Sequence, residues 1–60
     1  MDLRDLLWEA DLLGLERLTW TRGSKGWRCT SPSLRSPRLA PGKTPADALY
    51  ELVRFAWRVL

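Results

Sequence analysis

Few side chains in this 60-residue sequence have the types and spacing that chemistry requires. Cys29 is the single cysteine and histidine is absent. The commonest general base is therefore missing, and neither an internal disulfide nor a zinc site can be assembled. Cys29 falls on the apolar side of an alternating stretch, where a cysteine packs as a small hydrophobe, and alternation sends Arg28 to the other side. Asp5 and Glu9 share one helical face at a spacing that suits acid and base work, although such pairs are ordinarily solvated surface. Gly42-Lys43-Thr44 sets a cation before a helix start, where free N–H groups attract anions. The glycine-rich run of a P-loop is missing, so a capped turn is the simpler reading. No pairing of nucleophile with base, tuned carboxylate dyad or metal cluster emerges. A binding protein is expected, not an enzyme, with no metal, no cofactor and no small-molecule substrate.

The distribution of charge says more than the net value of +3. Between Arg17 and Ala46 the basic residues are Arg17, Arg22, Lys25, Arg28, Arg35, Arg38 and Lys43, with no Asp or Glu among them. The acids flank this stretch, as Asp2, Asp5, Glu9, Asp11 and Glu16 before it and Asp47 and Glu51 after it. Such segregation concentrates positive potential and points to an anionic partner, or to the solvated surface of an arginine-rich chain. Arg22, Lys25, Arg28, Lys43, Arg35 and Arg38 are the candidate nucleic-acid-binding set, contacting phosphates.

The elements that must position these cations follow from periodicity. Asp2 stands at an N-cap position, and Leu3, Leu6, Leu7, Ala10 and Leu13 recur with helical spacing, widened by Trp8 and Leu12. Gly14 should end this helix in a left-handed cap, with Leu15 folding back onto it. From Leu18 to Ser31 the pattern alternates, which predicts a β-hairpin. Gly23-Ser24 as a two-residue type II′ loop, or a four-residue loop closed by Thr21 and Gly26, pairs Trp20 with Trp27 and Leu18 with Cys29. Thr19, Thr21, Arg28 and Thr30 then face solvent, with Arg22 and Lys25 flanking the tip. Pro32, Pro37 and Pro41 permit only a loop or a short edge strand near Arg38-Leu39-Ala40.

The final element begins with Thr44 as N-cap, Pro45 at the first helical position and Asp47 completing a spacing like that of a capping box. Leu49, Leu52, Val53, Ala56 and Leu60 form its core stripe, opposite Asp47, Glu51, Arg54 and Arg58. Trp8 and Trp57 are expected to meet Trp20 and Trp27 beneath the helices. Tyr50, Phe55 and Trp57 extend the apolar surface beyond what a narrow sheet can cover, which predicts an exposed flank suited to homodimerisation or to a protein partner. The fold class is α+β: a helix, a β-hairpin with at most a short third edge strand, and a helix, the antiparallel sheet being covered on one face by helices. Residues 1–60 should form a single small domain, marginal in stability because short chains bury little surface. The opening residues lack a secretory pattern and no apolar run suits a bilayer, so a soluble cytoplasmic protein is expected.

Gly26-Trp27-Arg28-Cys29-Thr30-Ser31-Pro32, followed by Gly42-Lys43-Thr44-Pro45-Ala46-Asp47-Ala48-Leu49, resembles the strand and helix signature of HicB-type antitoxins. That resemblance implies a partial double-stranded-RNA-binding fold, with a hairpin, a third strand and a packed helix over roughly residues 18–55. The leading helix is additional to the family pattern, and the proline-rich stretch is basic where the antitoxins tend to be acidic. Two functions are therefore carried forward. One is a module that binds nucleic acid by charge and shape. The other is a small phage-like or antitoxin-like inhibitor that covers a functional surface of another protein with Tyr50, Phe55 and Trp57.

Overall fold

A computed structural model describes residues 2–34 and 39–59, with the element order α1 (Leu3–Leu12), β1 (Thr19–Gly23), β2 (Gly26–Thr30) and α2 (Pro45–Val59). Arg35, Arg38 and Leu60, to which the sequence assigns roles, lie outside the described residues. The α+β class expected from periodicity is the class observed.

Asp2 caps α1 by accepting a hydrogen bond from the Arg4 backbone N–H at 3.4 Å. At the other end Gly14 takes φ 77°, the Gly14 N–H donates to the Asp11 carbonyl, and the Leu15 N–H donates to the Ala10 carbonyl at 2.9 Å. This is the two-bond Schellman closure, with Leu15 buried beneath it as its hydrophobic contact. The start of α2 is equally explicit. The Thr44 hydroxyl accepts from the Asp47 N–H at 3.2 Å and the Thr44 carbonyl from the Ala48 N–H at 3.1 Å, with Pro45 at the first helical position.

Helix α2 is the spine of the core. Ala48, Leu49, Leu52, Val53 and Ala56 are buried along one stripe, which packs against β2 and against Leu6 and Ala10 of α1. Cys29 closes the core from the sheet side, and the Trp20 indole N–H donates to the Pro45 carbonyl at 2.9 Å, tying β1 to the first turn of α2. Behind the sheet, the buried Ser31 hydroxyl donates to the Glu16 carbonyl at 2.6 Å, while the Glu16 N–H donates to the Ser33 hydroxyl at 3.3 Å. These two bonds join the segment entering the hairpin to the segment leaving it.

Several expectations are corrected. The hairpin register pairs Trp20 with Cys29 and Arg22 with Trp27, not Trp20 with Trp27 or Leu18 with Cys29. The loop is Ser24-Lys25. Neither residue has a positive φ, so the turn is not of the primed type, and Gly26 carries φ 131° in its place. Both registers keep every side chain on its expected face, because they differ by an even number of residues. Among the described residues the sheet has two strands; at the free edge of β2 there is a single bridge, in which Trp27 and Gly42 exchange N–H to carbonyl bonds of 2.7 and 2.8 Å. Leu39 and Ala40 belong to no strand. Leu7 is exposed, leaving the core to Leu6 and Ala10. Trp8 and Trp57 do not join the hairpin indoles in the interior: they are 66% and 62% exposed.

Candidate nucleic-acid interface

The strand pairing decides which cations share a surface. Arg28 stands across from Thr21 on the sheet face opposite Cys29 and Trp20. Together with Lys25 from the turn, it borders a shallow hollow whose wall is Thr21, Gly26 and Pro41. Pro41 also borders a second hollow, lined by Lys43, Asp47, Tyr50 and Glu51. Lys43 is held there because its neighbour Gly42 is bonded twice to Trp27. Lys25, Arg28 and Lys43 thus lie around one proline. The Asp47 and Glu51 carboxylates temper the potential at the Lys43 end.

Arg22 is placed differently. It is the cross-strand partner of Trp27, and its guanidinium lies 5.8 Å from the centre of that indole. Cation–π contacts of this exposed kind contribute ~0.5–1 kcal/mol, and this one turns Arg22 towards the sheet face that also carries Trp20 and Cys29. The hairpin cations are therefore divided, with Lys25 and Arg28 on one side and Arg22 reaching round from the other. The sequence pattern contained this division, since Arg22 and Arg28 fall on opposite faces in either register.

Among the described residues, none of the four is neutralised by a close carboxylate. Among the described residues one ion pair falls within 4.0 Å, Arg4 with Asp2 at 3.7 Å, while Arg22, Lys25, Arg28 and Lys43 are all exposed. The indoles of Trp20 and Trp27, on the same sheet face, are half-buried against the core and offer no open stacking platform of the kind single-stranded binders use. What the face presents is charge, hydroxyls and a proline.

The second candidate surface is also rearranged. Tyr50 and Trp57 lie seven residues apart, on the flank of α2 that adjoins α1, where Tyr50 borders a hollow with Leu6 and Ala46. Phe55 lies on the other flank, half-buried beside Leu39 and Ala40. The three aromatics do not form one patch. The Trp57 indole N–H donates to Glu9 Oε2 at 3.4 Å, which brings exposed Trp8 and Leu12 of α1 into its neighbourhood instead. Sequence reading missed those partners, although Trp8 and Leu12 stand one turn apart on α1, away from its buried side.

Cys29 is 1% exposed, and burial pushes its thiol up from 9.0 to about 11. Its proton is retained by the folded state, so the contribution to stability is whole below pH 9.0 and is lost as pH rises towards and through about 11. Urea midpoints measured from pH 8 to 11 should fall more steeply for the wild type than for Cys29→Ala; parallel curves would show that the thiol ionises equally in both states. Among the described residues no group of His, Cys, Asp and Glu is arranged to hold a metal ion, and no helix is long and apolar enough to cross a membrane.

Comparison with known proteins adds no relative: no protein-family model, curated protein or solved structure matches the chain.

Proposed function

We propose that this protein is a binding module that docks nucleic acid on the side of its hairpin bearing Lys25 and Arg28, with Lys43 extending the contact past Pro41 and Arg22 reaching it from the tip. The single observation carrying this reading is that these four cations are exposed and free of any carboxylate within 4.0 Å among the described residues, while the acids gather on the helices and the segment that follows α1. Phosphates are the ligands such a surface suits. Arg35 and Arg38 join the set on sequence grounds, as neighbours in the acid-free stretch. The hairpin offers few groups that could read base edges, so recognition is by charge and shape. The reading places the protein in the cytoplasm, acting by binding and not by catalysis.

Salt titration tests it. With ~4 phosphate contacts, the logarithm of affinity should fall against the logarithm of salt with a slope near −3.6, or about 150-fold between 50 and 200 mM. Fluorescence anisotropy on duplex RNA and duplex DNA of scrambled sequence supplies the measurement. An affinity indifferent to salt, or no binding to either polymer at low salt, sinks the reading.

A second reading draws on the exposure of Tyr50 and Trp57. On it the chain is an inhibitor of the antitoxin type, which covers a functional surface of another protein with that flank. Phe55, facing the other way, would take no part.

A further inference from the structure

The two edges of the hairpin are unlike. On β2 the outer edge is taken, since Trp27 exchanges both of its backbone bonds with Gly42, and Pro41 beside it has no N–H to offer a further strand. On β1 the outer edge is open. Strand pairing fixes which groups face it: Trp27 points its N–H and carbonyl away from β1, so its cross-strand partner Arg22 points its own away from β2, and Trp20, two residues back, does the same. Among the described residues no backbone group bonds to Trp20 or Arg22 from that side. The helices pack against β2 and against each other, and Thr19, Thr21, Arg22 and Gly23 are exposed. The strand contains neither proline nor bulge, the usual guards of an edge, and its one charged side chain, Arg22, leans over Trp27 and so away from the edge.

These groups have the spacing that a second copy of β1 requires. Two antiparallel β1 strands related by a twofold axis through Thr21 set Trp20 of each copy opposite Arg22 of the other, and each such pair exchanges two N–H to carbonyl bonds. All four open groups of both strands are then used. The side chains agree with the backbone. In that arrangement the stem of Arg22 lies against Trp20 of the second copy while its guanidinium stays over Trp27, so the two Arg22 cations diverge. On the outer face Thr21 meets Thr21 of the second copy, a cross-strand pair of β-branched residues. Arg28 and its counterpart stand three strand spacings apart, ~14 Å, which exceeds the ~8–10 Å over which exposed charges repel in physiological salt. A strand of another sequence would use the same backbone bonds without this matching of Trp20 to Arg22 and of Thr21 to itself. With β2 closed by Gly42, pairing stops at two copies.

We propose that the protein is a homodimer joined edge to edge through β1, with a four-stranded antiparallel sheet of order β2-β1-β1-β2. The inference is independent of nucleic-acid binding, and it leaves Lys25 and Arg28 of both copies on one side of the joined sheet.

Sedimentation velocity and engineered cysteines test it together. Between about 1 and 200 µM the wild type should reach twice the monomer mass. Arg22→Pro removes an N–H that the hairpin itself does not use, and should sediment as a monomer with an unchanged circular dichroism spectrum. Thr21→Cys places two thiols directly across the axis, with Cα atoms ~4.5 Å apart, inside the range a disulfide spans. Thr19→Cys leaves them four residues apart along the strands, ~14 Å. Cys29 is buried and takes no part. On non-reducing gels Thr21→Cys should therefore oxidise to a covalent dimer at least about tenfold faster than Thr19→Cys. Should Arg22→Pro unfold, the two cysteine variants decide the matter by themselves. A wild type that stays monomeric throughout the range overturns the proposal and leaves the edge to a foreign strand. Equal oxidation of the two cysteine variants, or a dimer that persists in folded Arg22→Pro, overturns it as well.

Discussion

Gly26→Ala and Gly42→Ala should each leave the protein largely unfolded in buffer, while Gly23→Ala in the same hairpin leaves it folded. A β-carbon placed on Gly26 falls 2.5 Å from the Gly42 carbonyl oxygen, and the residue holds φ 131°, where side chains are strained. A β-carbon on Gly42 falls 2.6 Å from the Ala48 nitrogen and 2.7 Å from the Asp47 β-carbon, within the first turn of α2. Both obstructions are held in place by the bridge or by the helix it abuts, and neither is a side-chain tip that could swing away. Backbone strain of this type costs ~1–3 kcal/mol and overpacking a further ~1–3 kcal/mol. A core of this size rarely supplies more than ~3–5 kcal/mol. At Gly23 the nearest atom is 3.8 Å away, an ordinary contact, so the same methyl there is a control for propensity alone. Urea unfolding followed by tryptophan fluorescence reads all three. If Gly23→Ala and Gly26→Ala unfold together, the close approach of Gly26 to Gly42 is not what holds the hairpin against α2.

That approach also explains which parts of the fold the sequence displayed. Both helices announced their ends through local chemistry: Gly14 with Leu15, and Thr44 with Pro45 and Asp47, each act within a few residues of themselves. The faces of the hairpin were equally legible, because alternation is a local property. The register was not. A slip by two residues preserves every face, so alternation is silent on it. What selects Arg22 opposite Trp27 is non-local, since Gly26 must lie beside Gly42 and the Trp20 indole must reach the Pro45 carbonyl.

The tryptophans were misplaced for a different reason. Assigning large apolar residues to the interior assumes that the interior has room, and here Leu6, Leu49, Leu52 and Cys29 already fill the space between α1, α2 and β2. Trp8, two residues from both Leu6 and Ala10, stands on the side of α1 away from the core, and Trp57 stands outside the buried stripe of α2. Phe55 and Trp57 could have been separated from the start: two residues apart on a helix stand nearly opposite one another. The candidate phosphate site was legible as a set of cations, and alternation alone fixes the division of Arg22 and Arg28 between faces; what it left open was the cross-strand partner of Arg22 and the position of Lys43, which follow from the register and from the Trp27–Gly42 bridge.

That division sets the second large effect. Lys25→Glu combined with Arg28→Glu should weaken nucleic-acid binding on the order of 100-fold or more at low salt and flatten the salt slope by about 2, since two of ~4 phosphate contacts are lost and two repulsive charges take their place. Arg22→Glu, by contrast, should cost no more than about tenfold, because its guanidinium leans over Trp27 on the other side of the hairpin. Both sets of changes are on exposed positions, so urea midpoints should stay close to wild type and separate lost contact from lost fold. The contrast between the two variants carries the information. Equal losses would mean that the polymer wraps the tip and ignores the faces, and a larger loss from Arg22→Glu would move the docking surface to the Trp27 side. Only the predicted asymmetry is compatible with phosphates lying along the Thr21, Arg28 and Pro41 face, where strand pairing puts a cation and a hydroxyl directly across from each other.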